Sequence, residues 1–204
     1  GLIMAPVNTY PLMWAAIAPD LQKIDPDTLD AIELNAYVDV MNQLAIAKGN
    51  QLRVRLNVSN ENNRFASFGD DYRDKNFALV SVAAQGDRWA FKLAPSFTLD
   101  PNDGDEFRLD ESYVAGFLGN WVFALGLQDR WWAPGWDTNL SLTSNARPMP
   151  AVSITRKSSE PFRLFFTDYM IPWNVTTFMA DMGDDRTIEN ALLWGFRFDF
   201  MPYK

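Results

Sequence analysis

The 204-residue sequence contains no cysteine and no histidine. Without histidine there is no Ser-His or Cys-His nucleophile pair and no imidazole zinc site; without cysteine there is no thiolate chemistry, disulfide frame or iron–sulfur ligation. The usual hydrolase and metalloenzyme templates are thereby excluded, and no cofactor, metal site or catalytic residue is assigned. Basic residues are in deficit, 18 Lys+Arg against 26 Asp+Glu, so 18 − 26 = −8. That leaves no basic footprint for a phosphate backbone, and no nucleic-acid partner is expected. No apolar run reaches the ~18 residues of a transmembrane helix, which leaves open a membrane β-barrel, whose strands need only ~9–11 alternating residues.

Aromatic rings, in contrast, are abundant: 14% of the chain, with 15 Phe and 8 Trp. Mean hydropathy is slightly polar at −0.19, as it must be if half of every strand faces a wet or polar lumen. The start, Gly1-Leu2-Ile3-Met4-Ala5-Pro6, lacks the basic region of a signal peptide, so either a signal is removed or the numbering begins inside a longer chain. Residues 1–50 read as helical. Pro19-Asp20 is expected to open a short helix, and Asp25-Pro26 to cap a second. In that second helix Leu29, Ile32, Ala36, Val40 and Leu44 recur at helical spacing before a stop at Lys48-Gly49-Asn50. The apolar stripe reads as packing.

From residue 51 the period drops to two. Leu52, Val54, Leu56 and Val58 alternate with Arg53, Arg55, Asn57 and Ser59, a strand with one apolar and one strongly polar face. Further strands are expected at 76–85, 88–99, 111–118, 121–129, 138–144, 151–156, 162–169, 174–181 and 191–200. No helix interrupts them, so 51–204 reads as antiparallel all-β, a sandwich or a barrel. Gly86-Asp87 and Gly119-Asn120 read as tight turns, while 60–75 and 100–110 are long polar connections. Alternating long and short connections are the habit of outer-membrane barrels. In the last strand Leu192, Trp194, Phe196, Phe198 and Phe200 share one face, opposite Leu193, Gly195, Arg197 and Asp199. With Trp89, Tyr113, Trp121, Tyr169 and Trp173 near strand ends, this fits a lipid-facing band flanked by aromatic girdles.

Asp129-Arg130-Trp131-Trp132-Ala133-Pro134-Gly135-Trp136-Asp137 crowds three Trp around Pro-Gly. Such a cluster is either a packed plug or a platform on which sugar rings stack while polar side chains take the hydroxyls. The run 131–156, WWAPGWDTNLSLTSNARPMPAVSITR, resembles the WWxPGW…SL…SNARPxP…S…R signature of the Wzi capsule-assembly family of Gram-negative outer-membrane proteins. Pro6 to Trp14 is similar to that family's P-x-x-TWP-L-x-W, with Tyr10 at a common Trp. Asp184-Asp185-Arg186 and Ala191 to Phe198 resemble its ALLWGxRF strand and the residues before it. Ala133 departs from the family's frequent Gly.

The resemblance implies a mainly β protein: an antiparallel transmembrane β-barrel, part of a larger one, preceded by a short helical bundle. Residues 1–50 would form a periplasmic helical bundle or plug and 51–204 an incomplete set of barrel strands, a closed ten-strand barrel being the alternative. It further implies a lectin, not an enzyme, that helps attach capsular polysaccharide or an exopolysaccharide to the cell. The partners implied are outer-membrane lipid and the capsule export machinery, and the location is the outer membrane. Trp131, Trp132, Trp136, Asp137 and Asn139 are the candidate carbohydrate-binding residues, and Arg53, Arg55, Lys92 and Arg197 candidate lumen-facing charges, with mutual ion pairing as their plainer role. The helices being periplasmic, loops at 60–75, 100–110, 130–137, 157–161 and 183–190 are expected outside, and Asn145-Ala146-Arg147-Pro148 at a periplasmic turn. A porin-like diffusion channel is the alternative function. Hydrolysis by Asp103/Asp105 or Asp184/Asp185 has no supporting spacing, and Asp100–Glu106 lacks the pattern of a calcium loop.

Overall fold

The structure, a computed structural model, describes residues 3, 13–61, 74–101, 103–133, 142, 146–163, 170–184 and 187–201. Helix α1 spans Trp14–Leu21 and carries Pro19 inside it, so Pro19-Asp20 does not open the helix. Asp25 caps only a 3-10 turn, Pro26–Thr28. The long helix α2 (Ala31–Lys48) starts at Asp30, whose carboxylate accepts from the Ile32 and Glu33 amides, both at 2.8 Å. Glu33 returns the bond by accepting from the Asp30 amide at 3.2 Å, a complete capping box. Competition between two adjacent aspartate caps moved the helix start. The expected stripe is also thinner than its spacing implies: Leu44 packs with Ile17 and Leu21 of α1, whereas Ile32 is 81% exposed.

The strands are β1 (Gln51–Val58), β2 (Asn76–Gln85), β3 (Trp89–Leu93), β4 (Ser96–Thr98), β5 (Phe107–Arg108), β6 (Tyr113–Leu118), β7 (Trp121–Gly126) and β8 (Ala151–Arg156). They continue with β9 (Phe162–Arg163), β10 (Met170–Ile171), β11 (Trp173–Asp181) and β12 (Leu192–Phe200). Ten segments form one antiparallel sheet, and β9 and β10 form a separate hairpin. The sequence expectation of one strand over 88–99 resolves into β3 and β4, both paired to β2 and separated at Ala94-Pro95, where proline removes a donor. Likewise β5 precedes β6 as one interrupted crossing. The main sheet thus crosses itself as β1, β2, β3 with β4, β5 with β6, β7, β8, β11 and β12. It is open: β1 pairs only with β2 and β12 only with β11 among the described residues.

Two details bear on the expected strands and turns. Strand β7 pairs directly with β8, from Trp121 opposite Arg156 to Gly126 opposite Ala151. Of the expected strand 138–144, Leu142 alone lies within the described residues, and it is not in a strand; the remainder lies outside them. Likewise 162–169 contributes only the two residues of β9 among those described. The turn after β2 is Asp87-Arg88, since the Gly86 amide donates to the Trp89 carbonyl at 2.8 Å. Gly119-Asn120 does form the β6–β7 turn, with Gly119 at φ +59°.

Register sorts the side chains onto two faces. The face turned from the helices carries Leu52, Val54, Leu56 and Val58, then Val80, Val82, Phe123, Leu125 and Val152. It ends in Leu192, Trp194, Phe196, Phe198 and Phe200, all exposed. A water-soluble sheet does not leave so continuous an apolar face open. The inner face carries the small and polar residues Ser81, Ala124, Ser153, Asn174 and Thr176, several of them buried. Apolar outside and polar inside is the pattern of a lipid-facing barrel wall. Trp89, Trp121 and Trp173 sit at the helix-side ends of their strands on the outer face. Tyr113, expected in the girdle, instead faces inward, and Tyr169 lies outside the described residues.

Candidate functional site

Two polar assemblies occupy the inner side. At the helix-side rim, α1 and the C-terminal end of α2 lie over the inner face and enclose with it a cavity of about 680 Å³. Trp14 and Lys48 enter from the helices; Tyr113, Phe117, Ser153, Thr155 and Thr176 come from the sheet. Gln128, Arg130 and Trp132 enter from the chain leaving β7, and Lys157 from the end of β8. Alternation places these five sheet residues on the same, inner face.

The chain after β7 turns back into the interior. The Trp132 ring meets Phe178 edge-on at 5.3 Å between centroids. Phe178, 2% exposed, anchors a small core with Ala151 and Ala180. Its ring has room because Gly195 stands opposite: a Cβ there would lie 2.2 Å from the Phe178 ring. The Arg130 guanidinium lies 4.7 Å from the centroid of the same ring and donates to the Gln128 carbonyl at 3.1 Å. Burial lowers the Arg130 pKa, and the neighbouring Asp129 carboxylate partly offsets this.

At the opposite rim a network of alternating charge ties three connections together. Arg147 donates to Asp74 at 2.6 and 2.8 Å, to Asp110 at 2.7 Å and to Asp103 at 3.2 Å. Arg108, with a buried side chain, is bonded to Asp103 and lies 3.5 Å from Asp74. Burial alone would lower the Arg147 pKa; the Asp74 and Asp110 carboxylates outweigh that and raise it. The Arg108 hydrogen bond, opposed in part by burial, holds Asp103 down at about 2. Among the described residues no group of three or more acidic side chains is arranged to hold a metal ion.

The sequence candidates divide between these places. Trp131 is 4% exposed and presents no ring face to solvent, whereas Trp132 lines the cavity. Trp136, Asp137 and Asn139 lie outside the described residues. Arg53 and Arg55 are on the inner face of β1, opposite Ser81 and Leu79. Lys92 is ion-paired with Glu111, and Arg197 with Asp199 at 2.8 Å. Arg147 is not at a helix-side turn: β7 pairs directly with β8, so β8 begins at the rim away from the helices, where Arg147 meets Asp74, Asp103 and Asp110, and 157–161 lies at the helix-side rim. The loop at 100–106 is tied down through Asp103. Nothing local in the sequence marks Asp74, Asp103 and Asp110 as partners of Arg147, because they lie up to 73 residues away.

A family model described as capsule assembly protein Wzi matches residues 46–204. The chain is 20% identical, over all of its length, to 40% of an uncharacterized 55.8 kDa protein in the cps region of Klebsiella pneumoniae. Among solved structures it superimposes with a TM-score of 0.87 and 22% identity on Wzi, an outer membrane protein involved in group 1 capsule assembly in Escherichia coli and described as a carbohydrate-binding β-barrel. That match covers all of this chain and 46% of the other. The chain therefore spans less than half the length of both proteins it matches here.

Proposed function

The chain belongs to the Wzi family of capsule assembly proteins, and from that premise we propose that it forms part of an outer-membrane β-barrel lectin that holds capsular polysaccharide at the cell surface. The observation that carries the reading is the inverted wall: a continuous exposed apolar face over a polar, partly buried inner face. Lipid covers the first, and the second lines an interior with aromatic rings and hydrogen-bonding groups suited to sugars. Residues 1–50 act as a periplasmic bundle and 51–204 as barrel wall, which makes the Arg147 rim extracellular. Trp132, with Trp136, Asp137 and Asn139, supplies sugar contacts. The protein works by binding, without catalysis, and receives its glycan from the capsule export machinery.

Deletion of the gene, with complementation, tests this directly. Surface glycan is expected to fall and glycan shed into the medium to rise, both reversed by the complementing copy. Unchanged surface glycan in the deletion strain refutes the reading. A diffusion channel is less well supported, because α1 lies across the inner face; ohmic conductance of porin size in planar bilayers would favour it.

A further inference from the structure

We propose that the cavity between α1 and the inner face is a binding site for an acidic sugar, a pyranose ring bearing a carboxylate. The proposal rests on the carbohydrate-binding reading and adds a place and a charge to it.

In a chain of net charge −8, cations without a carboxylate partner are informative. Lys75, Lys92, Arg108, Arg147 and Arg197 all pair with carboxylates. Lys48, Arg130 and Lys157, which line the cavity, form no salt bridge among the described residues. The Lys157 ammonium instead lies 4.8 Å from the Phe117 ring centroid, and Arg130 rests against Phe178 with one N–H given to a backbone carbonyl. Asp87 is the lone carboxylate in the lining among the described residues, while Asp129 acts on Arg130 electrostatically without a salt-bridge contact. Among the described lining residues, three cations against one carboxylate leave an excess of 3 − 1 = +2.

Two further features fit a sugar better than a simple anion. Trp132 lines the cavity, and its indole N–H is buried with no acceptor among the described residues; such a donor is matched by a hydroxyl or carboxylate oxygen. The cavity also presents Trp14 and Tyr113, and aromatic faces take the C–H face of a pyranose. Its volume of about 680 Å³ falls within the roughly 300–1,000 Å³ of small-ligand sites.

The test is calorimetric titration of the purified protein in neutral detergent with trigalacturonate and with its methyl ester, which keeps the rings and removes the charge. The acid is expected to bind at least tenfold more tightly than the ester, with the gap narrowing as salt rises. Arg130→Gln and Lys157→Gln should each weaken the acid about tenfold and leave the ester within twofold. Trp132→Phe, which keeps a ring and removes the N–H, should weaken both. Lys75→Gln removes a cation at the far rim and should change neither; barrel migration on unheated gels checks folding throughout. Equal affinity for acid and ester, no affinity for either, or a loss with Lys75→Gln matching that of the cavity variants overturns the acidic-sugar site. Surface glycan retention in the deletion strain decides the parent reading separately.

Discussion

Replacing Arg147 by Met keeps much of its length and removes the charge that three carboxylates share. Before substitution Asp74, Asp103 and Asp110 face Arg108 and Arg147, 2 − 3 = −1; afterwards Arg108 alone faces them, 1 − 3 = −2. Asp74 suffers most. Its side chain is only 11% exposed, and it keeps Arg108 at 3.5 Å and the Thr98 hydroxyl at 3.4 Å. Breaking a buried ion pair costs about 3–5 kcal/mol. Since Arg147 retains some solvent contact, the low end applies, and about 3 kcal/mol is expected for the variant. Arg147→Lys, a point charge that reaches one carboxylate at a time, should lose about 1–2 kcal/mol. The assay is guanidinium unfolding in detergent micelles, run as a cycle with Asp74→Asn. The direct bonds of 2.6 and 2.8 Å predict a coupling of about 1.5–3 kcal/mol. Additive single variants, or a shift below about 0.5 kcal/mol for Arg147→Met, would refute the claim that this residue clamps the rim.

Three other outcomes follow from the same geometry. Gly195→Ala places a Cβ against Phe178, which cannot withdraw because Ala151, Ala180 and Trp132 surround it; a loss of about 1–3 kcal/mol is expected, partly restored by Phe178→Leu, and full stability of the single variant would count against the packing. Phe196→Arg, in the middle of β12 on the outer face, should destabilise the protein by about 2–4 kcal/mol in a bilayer; a neutral effect on refolding into vesicles would mean that this face meets water. Acid should loosen the Arg147 rim late: Asp103, held at about 2 against an ordinary 3.8, contributes stability that is full above its unfolded value and lost as pH falls through the folded one. Protease protection of the 99–112 connection should therefore persist to pH 4 and fail towards pH 2, and failure already near pH 6 would contradict it.

Alternation made the wall legible in advance. In β1 and β12 every second residue is apolar, so one face of each strand was set by the residue order, whichever partner it found. The helix start and the turn after β2 were off by a few residues because adjacent candidates competed: Asp25 against Asp30, Gly86 against Arg88. Only the Asp30 cap closes a box with Glu33. Pairing across the sheet also decided the sidedness of two segments. Because β7 pairs directly with β8, Arg147 lies at the rim away from the helices and 157–161 at the helix-side rim, the reverse of what the residue order suggests, while all of 138–144 except Leu142 lies outside the described residues.

The sequence by itself determined the class of the molecule: period-two strands, an apolar face too continuous for water, no thiol or imidazole, and the motifs of one family. These are properties of residue order, which local backbone geometry converts into faces. The tertiary structure decided which charges are neutralised. Arg147 and Arg130 look alike in sequence, each beside aromatic or proline-rich segments, but chain reversal brings Asp74, Asp103 and Asp110 to the first and, among the described residues, the Phe178 ring and the Gln128 carbonyl to the second, with Asp129 acting on it without a salt-bridge contact. Electrostatic pairing depends on distance through space, and a chain that doubles back across an open sheet sets those distances only once every strand has found its neighbour.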